Sequence, residues 1–286
     1  MTASGTFGYG QELASFVELP RLGAVVCKTV TRHPRAGNAP PRTCETPSGM
    51  LNAIGLQNVG LERFIQEKLP YLRAFAVPLI VNIAGESVED FAFLARALNE
   101  YDGIAALEIN ISCPNVAHGL DFSTDPELTE QVVVHVCNAT QLPIIAKLSP
   151  NVTDITIIAR AAEAGGAHAL SLVNTFLGMS IDIRTRRPRL SNITGGLSGP
   201  AIKPLALRAV YRCAQAVKIP IIGIGGIMDA NDAVEYLIAG ASAVQVGTAT
   251  FVQPQAALDV LDGIERYLQT HNVPSIQQLV GSIITD

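Results

Sequence analysis

Cys113 is the residue in this sequence that is best placed to act as a chemical reagent. It follows the apolar run 105–110, which predicts a β-strand, and Pro114 keeps the next turn from becoming helical. Three small polar residues beside it could position a hydrogen-bonding ligand over the sulfur: Asn110, Ser112 and Asn115. Most free cysteines are small buried hydrophobic residues, so this segment alone leaves a structural and a chemical role open.

Polar residues end other apolar runs in the same way. With Asn110, which ends the run before Cys113, the strand-end residues are Lys28, Asn82, Asn110, Lys147 and Asn174. A parallel barrel is normally filled with branched apolar side chains, and an unpaired buried ammonium or amide costs several kcal/mol. Any one of these side chains could reach solvent or a loop carbonyl, but the whole set at one end of a barrel implies a bound ligand.

Glycine-rich turns follow the last two apolar runs, at 223–226 and 247–248. Backbone N–H groups exposed in such turns can bind an anion, and barrels often bind phosphate after strands seven and eight. Met228 stands where a dinucleotide fingerprint would have glycine. Each turn alone is compatible with tight chain reversal, but the pair favours a phosphate-bearing cofactor, which the loop 195–201 could cover.

The elements that position these residues alternate along the chain. Apolar runs predict strands at 24–28, 78–83, 105–110, 143–147, 169–174, 220–224 and 243–247, with an eighth strand reduced to a stub at 2–5. Helices are predicted at 11–19, 61–71, 88–99, 126–139, 153–164, 202–217, 230–239 and 254–268. This alternation predicts a (β/α)8 TIM barrel that forms one domain over 1–286, with insertions at 29–60, 111–125 and 175–201.

The composition is that of a globular protein: 48% of the 286 residues are hydrophobic and 16% are charged. A net charge of −5 and the lack of basic runs argue against nucleic acid and anionic membranes as partners. The 5 cysteines form no Cys-x-x-Cys pair, so no zinc or iron–sulfur ligand set is expected. Reduced thiols and the absence of a signal peptide or long apolar run predict a cytoplasmic protein.

Motifs along nearly the whole chain resemble class 1B dihydroorotate dehydrogenases. They lie in order at 3–8, 52–58, 110–115, 147–151, 174–175, 195–204, 223–226 and 247–248. An ordered series of this kind is far more specific than any single motif. The resemblance implies an enzyme that binds FMN at the mouth of the barrel and oxidises dihydroorotate to orotate in pyrimidine synthesis, with no metal ion.

The resemblance also implies the roles of individual residues. Cys113 matches the catalytic base. The positions that match orotate contacts are Lys28, Asn52, Ile54, Gly55, Leu56, Asn110, Asn115, Asn174 and Thr175. Those that match FMN contacts are Ser4, Lys28, Thr29, Asn82, Asn110, Lys147, Val173, Gly199, Gly225, Gly226, Gly247 and Thr248.

These residue types suit the reaction. Asparagine can donate to and accept from the imide edges of orotate, and Lys28 can serve both substrate and flavin. Cys113 can take the C5 proton only as a thiolate, and an ordinary thiol has a pKa of about 8.5, so the reductive step should accelerate as pH rises. Lys147 is expected to stabilise the negative charge that gathers on the reduced flavin.

Two segments depart from the family pattern. Relatives usually carry a β-hairpin and strand before the first motif, whereas only Met1 and Thr2 precede it here, so a shortened lead-in is expected. The stretch 117–123 is about one residue shorter than usual, and Ser123 replaces a customary glycine. This loop closes over substrate in relatives, so its behaviour as a lid is in question.

Two other activities remain as alternatives. One is a dihydropyrimidine dehydrogenase-like flavin subunit, although Lys28 and the amides of 52–56 suit an anion better than a neutral pyrimidine. The other is a flavin-free phosphate-site barrel, such as an isomerase or an aldolase with Lys147 as a Schiff base. For electron transfer, the resemblance implies a homodimeric core and a partner subunit that carries FAD and a 2Fe–2S cluster and reduces NAD.

Overall fold

The structure is a computed structural model that describes residues 1–112 and 122–285. The strands in chain order are β1 (Val25–Val26), β2 (Thr43–Thr46), β3 (Gly49–Asn52), β4 (Leu79–Ile83), β5 (Ala106–Asn110), β6 (Ile144–Lys147), β7 (Ala169–Leu172), β8 (Phe176–Met179), β9 (Ile181–Asp182), β10 (Arg187–Pro188), β11 (Thr194–Ser198), β12 (Ile221–Ile224) and β13 (Ala243–Gln245).

The α-helices are α1 (Gly60–Arg63), α2 (Leu69–Arg73), α3 (Val88–Asn99), α4 (Pro126–Cys137), α5 (Ile155–Ala164), α6 (Lys203–Ala214), α7 (Ala230–Ile238), α8 (Ala249–Val252) and α9 (Ala256–Thr270). A π-helical turn, Phe64–Lys68, joins α1 to α2. Short 3-10 helices lie at Leu19–Arg21, Pro200–Ile202 and Ile276–Gln278. Within the described residues, no helix is long and apolar enough to cross a membrane.

A closed parallel barrel forms the centre of the fold. Strands β1, β4, β5, β6, β7, β12 and β13 pair in that order. Thr2 closes the ring, because it bridges Val246 in parallel and its N–H donates to the Ala24 carbonyl at 3.4 Å. The segment around Thr2 therefore takes the place of the eighth strand, and the predicted (β/α)8 barrel is confirmed.

Alternate residues of the barrel strands face inward, as the period of two requires. A small apolar cluster fills the amino end of the barrel: Ala24, Val26, Ile80, Ala106, Ile145 and Ile222. The larger core lies between the strands and the surrounding helices. Because the inner apolar cluster occupies only the amino end, the inward-facing positions nearer the carboxyl ends of the strands are available to polar residues.

Most of the predicted helices are present, and their start signals act as expected. Ser87 accepts a hydrogen bond from the Asp90 N–H at 3.2 Å, and Asp125 accepts from Glu127 at 2.8 Å. The helix predicted at 11–19 is wrong, because this segment forms turns. Val17 and Leu19, two positions apart, are both buried, whereas one face of an α-helix is formed by residues three and four positions apart, and Leu19 begins the 3-10 helix Leu19–Arg21.

Two of the predicted insertions pair with each other. The segments 29–60 and 175–201 contribute an antiparallel sheet in the order β2-β3-β11-β8, and the hairpin β9-β10 extends from it. These strands were not predicted from the sequence. They place the backbone of Asn52 opposite Gly196, so residues far apart in sequence meet above the barrel mouth.

Candidate active site

Two asparagines predicted to bind ligand lie together at the barrel mouth. Asn110 ends β5, and its Oδ1 accepts hydrogen bonds from the Asn174 Nδ2 at 3.2 Å and from the Ser112 N–H at 3.3 Å. Asn174 follows β7 and accepts from the Thr175 N–H at 2.8 Å through its own Oδ1. These bonds fix the amide orientations before any ligand binds. Val173, beside them, is buried.

Lys147, the last residue of β6, points into the barrel and is only 5% exposed. Its Nζ donates to the Ser4 Oγ at 3.0 Å, which links the strand to the loop after the first strand stub. The backbone oxygen of Lys147 accepts from the Ser112 Oγ at 3.4 Å. The residue that precedes Cys113 is therefore anchored beside the lysine.

Glu108 is a buried carboxylate of the site that was not predicted from the sequence. It is fully buried, and its Oε1 lies 3.6 Å from the Lys147 Nζ. Burial by itself raises the pKa of Glu108, but the Lys147 ammonium and hydrogen bonds from neighbouring side chains outweigh burial and hold that pKa below its usual range. Period-two alternation could have revealed it, because a residue two positions before Asn110 on the same strand faces the same interior.

Asn82 is also fully buried, on β4 next to Glu108. Its Nδ2 donates to the Glu108 Oε1 at 2.7 Å, and its Oδ1 has no hydrogen-bond partner among the described residues. A buried acceptor without a donor is costly, so this atom indicates a ligand or water that supplies an N–H or O–H group.

Lys28 follows β1 and is half-buried at the mouth. Its ammonium makes no hydrogen bond or ion pair within residues 1–112 and 122–285. Burial and the nearby positive charge of Arg42 lower the pKa of Lys28, while Glu12 opposes this shift. A half-buried cation next to a second cation is a suitable site for an anionic group of a ligand.

The segment from Asn52 to Leu56 forms a rim above the barrel. The Asn52 Nδ2 donates to the Gly196 carbonyl at 3.3 Å, and the Ile54 carbonyl accepts from the Asn38 N–H at 2.9 Å. Gly55 has φ +75°, and a Cβ there would lie 2.7 Å from the Asn38 side chain. Glycine is therefore required at this position to keep the rim in its conformation.

The predicted glycine turns converge on one another. Gly226, after β12, has φ +67°, and a Cβ there would lie 3.0 Å from the Gly199 carbonyl oxygen. The Thr248 Oγ1, after β13, donates to the Ser198 Oγ at 2.8 Å. The structure thus brings the loop 195–201 to the turns 223–226 and 247–248. Together they form a glycine-lined cradle whose backbone N–H groups could hold a phosphate.

The remaining predicted site residues divide into two groups. Thr29 is buried directly after Lys28, while Gly225 and Gly247 lie in the glycine cradle. Cys113, Asn115 and most of the predicted lid, 117–121, lie outside the described residues. The structure therefore positions the strand that leads to Cys113 but says nothing about the thiol itself.

A flavin mononucleotide suits the groups gathered here. It carries a phosphate for the glycine cradle, an imide N–H for an acceptor such as the Asn82 Oδ1, and a ring that gains negative charge near a cation such as Lys147. Among the described residues, no group of three or more His, Cys, Asp or Glu side chains could hold a metal ion.

Comparison with known proteins gives a consistent result. The family model described as dihydroorotate dehydrogenase matches residues 1–268. This chain belongs to the dihydroorotate dehydrogenase family. It is 54% identical over 286 residues to the dihydroorotate dehydrogenase B (NAD(+)), catalytic subunit, of Geotalea uraniireducens, covering 100% of this chain and 94% of the relative.

Two further relatives carry the same name. The protein of Desulforudis audaxviator is 56% identical over 283 residues, covering 99% of this chain and 92% of the relative. That of Pelobacter propionicus is 55% identical over 284 residues, covering 99% and 93%. The predicted resemblance is therefore confirmed, and a dihydroorotate dehydrogenase family member is expected to bind a flavin.

Proposed function

We propose that this protein oxidises dihydroorotate to orotate in de novo pyrimidine biosynthesis, with FMN as its cofactor. The observation that carries the proposal is the 54% identity over all 286 residues to a catalytic subunit of dihydroorotate dehydrogenase B. The mouth geometry supports it, because the lysines and asparagines expected to bind substrate and flavin converge there. Residues 1–286 would form one FMN-binding domain in the cytoplasm.

In this proposal, different residues bind the substrate and remove its proton. Lys28 attracts the substrate carboxylate, and the amides of Asn110 and Asn174 meet the imide edges of the ring. The Cys113 thiolate takes the proton from C5, so the substrate loses a proton there and a hydride from C6. Bound FMN supplies the two-electron acceptor for that hydride.

In this proposal, a second set of side chains and glycines holds FMN. The ammonium of Lys147, the Asn82 Oδ1, which has no partner among the described residues, and the hydroxyl of Ser4 would face the ring. The phosphate would lie against Gly199, Gly225, Gly226, Gly247 and Thr248. Thr29, Val173 and the shared residues Lys28 and Asn110 would complete the contact set.

Two observations weigh against the alternative activities. The Lys28 ammonium, which has no partner in the part of the chain that the structure describes, suits a carboxylate-bearing substrate better than neutral uracil or thymine. The Lys147 Nζ lies 3.6 Å from the buried Glu108 carboxylate, an ion pair that the neutral amine required of a Schiff-base lysine would not form. The dihydropyrimidine dehydrogenase-like and aldolase hypotheses are therefore weaker than the dihydroorotate hypothesis.

The name of the relatives, catalytic subunit, implies a second subunit. We infer that the partner carries FAD and a 2Fe–2S cluster and delivers electrons to NAD, and that two copies of this chain form a homodimeric core. The flavin of this chain would then depend on that partner for reoxidation by NAD.

One experiment tests the activity and the electron path. Protein purified in the presence of FMN should be yellow, and anaerobic dihydroorotate should bleach the flavin absorption, whereas dihydrouracil should not. Subsequent addition of NAD alone should not restore the colour. Colourless protein that gains no absorption with FMN would contradict the proposal, and rapid reoxidation by NAD alone would contradict the partner.

The charge of Lys28 gives a pH prediction. Its attraction for the orotate carboxylate is present below its pKa and is lost as the pH rises through that pKa, which lies below the ordinary value of about 10.4. Lys28→Gln should weaken orotate binding by roughly 10–100-fold, equivalent to about 1.4–2.7 kcal/mol. The measurement is an orotate titration of the flavin absorption in Cys113→Ala protein, which removes the cysteine titration.

In that series, orotate affinity should fall at alkaline pH when Lys28 is present and should be flat with Lys28→Gln. Equal pH dependence in both proteins would show that Lys28 does not bind the carboxylate.

A further inference from the structure

Glu108 is contacted by side chains from four other strands of the barrel. Its Oε1 accepts from the Asn82 Nδ2 at 2.7 Å, and its Oε2 accepts from the Ser171 Oγ at 2.8 Å and the Gln245 Nε2 at 2.9 Å. The Lys147 Nζ lies 3.6 Å from Oε1. Strands β4, β6, β7 and β13 therefore all converge on one carboxylate on β5.

Stability does not account for this arrangement. Removing a carboxylate and an ammonium from water costs several kcal/mol for each ion, and apolar side chains of similar volume often serve a core as well or better. The amino end of this barrel is filled by such apolar residues. A charged layer placed directly above them, at the level of a predicted cofactor contact, therefore indicates a functional role.

The carboxylate orients its neighbours. Because an ionised carboxylate only accepts hydrogen bonds, the NH2 groups of Asn82 and Gln245 must both face it. Their oxygens are turned away, and neither has a partner among the described residues. Glu108 thus fixes two buried acceptors in place.

The same carboxylate restrains Lys147. A lysine side chain has four methylene groups and a mobile ammonium, so its position depends on its partners. Among the described side chains, the partners of the Lys147 ammonium are the Ser4 hydroxyl at 3.0 Å and Glu108. Glu108 is the charged one of the two, and without it the buried ammonium would have no counterion among the described side chains.

We propose that Glu108 is a positioning residue that holds the Lys147 ammonium in place for the cofactor and raises the affinity for FMN through Lys147. This inference rests on the proposed function, because it takes FMN as the ligand of Lys147. Glu108 itself need not touch FMN.

A double-mutant cycle tests the inference. FMN dissociation constants would be measured by quenching of flavin fluorescence for the wild type, Glu108→Gln, Lys147→Met and the double variant. Glutamine matches the shape of Glu108 but cannot neutralise an ammonium, so Glu108→Gln should weaken FMN binding about tenfold, equivalent to about 1.4 kcal/mol. In the Lys147→Met background the same change should have no further effect.

A purely structural role would give a different result. If Glu108→Gln weakens FMN binding equally in both backgrounds, or not at all, the inference is overturned. Glu130→Gln, the same chemical change on the exposed face of α4, is the matched control and should bind FMN as the wild type does. Failure of the wild type to bind FMN would instead overturn the proposed function.

Ser171→Ala keeps the test available if Glu108→Gln does not fold. It removes one hydrogen bond to the carboxylate and leaves both charges in place. We expect it to weaken FMN binding about threefold with Lys147 present, equivalent to about 0.65 kcal/mol, and to have no effect in the Lys147→Met background. An equal loss in both backgrounds would contradict the inference.

Discussion

Cys113→Ala protein should bind FMN and remain yellow, but dihydroorotate should bleach it about 10²–10⁴ times more slowly than the wild type. The reason is that alanine cannot take the C5 proton, while the strand that carries the site is unchanged. Ser112 is held by hydrogen bonds to the Asn110 side chain and to the Lys147 backbone oxygen, and neither bond involves the thiol. The measurement is the anaerobic rate of flavin bleaching in a stopped-flow instrument.

Cys137→Ala is the matched control for this change. Cys137 ends α4, and its thiol donates to the Gly166 carbonyl at 3.3 Å, away from the carboxyl ends of the strands. Its loss should leave the bleaching rate within about twofold of the wild type, as for a change outside the site. A Cys113→Ala enzyme that bleaches at the wild-type rate would remove the cysteine from the mechanism.

The pH dependence of the bleaching rate gives a second test of Cys113 as the base. Bleaching by the wild type should accelerate as pH rises through an ordinary thiol pKa of about 8.5, because only the thiolate is a base. The residual rate of Cys113→Ala should lack this rise.

The barrel could be predicted from sequence because most of its strands are short apolar runs, each followed by a segment with the N-cap residues and apolar spacing of a helix. Apolar strands that alternate with amphipathic helices pair with one another in a parallel sheet that the helices cover. The antiparallel sheet of β2, β3, β8 and β11 could not be predicted in this way. Its strands hold polar and glycine residues, and its stability comes from pairing between segments more than a hundred residues apart, such as Asn52 and Gly196.

The site was predicted only in part, for a related reason. The last polar residue of each strand was identified, which recovered Asn82, Asn110 and Lys147. Glu108 lies two positions before Asn110 and shares its inward face, but it was not predicted because only the last polar residue of each strand was considered. Its hydrogen-bond partners Ser171 and Gln245 come from strands that are distant in sequence, so their convergence on this carboxylate could not be predicted.

Lys147→Ala should have the second large effect, on both cofactor and stability. Removing the ammonium leaves the Glu108 carboxylate buried without its cation, and breaking a buried pair in this way costs about 3–5 kcal/mol. At roughly 2–4 °C per kcal/mol, the melting temperature of the protein should fall by about 6–20 °C. The purified variant should also lose FMN, because the cation expected beside the flavin is gone.

Lys218→Ala is the control, since Lys218 is exposed at the turn after α6, at the amino end of β12. Differential scanning calorimetry and the flavin-to-protein absorbance ratio should both match the wild type for this variant. The double variant Lys147→Ala with Glu108→Gln should recover part of the lost melting temperature, because no uncompensated charge is left in the barrel. It should not recover FMN. Recovery of FMN in the double variant would mean that repulsion by the unpaired carboxylate, and not the missing ammonium, had expelled the cofactor.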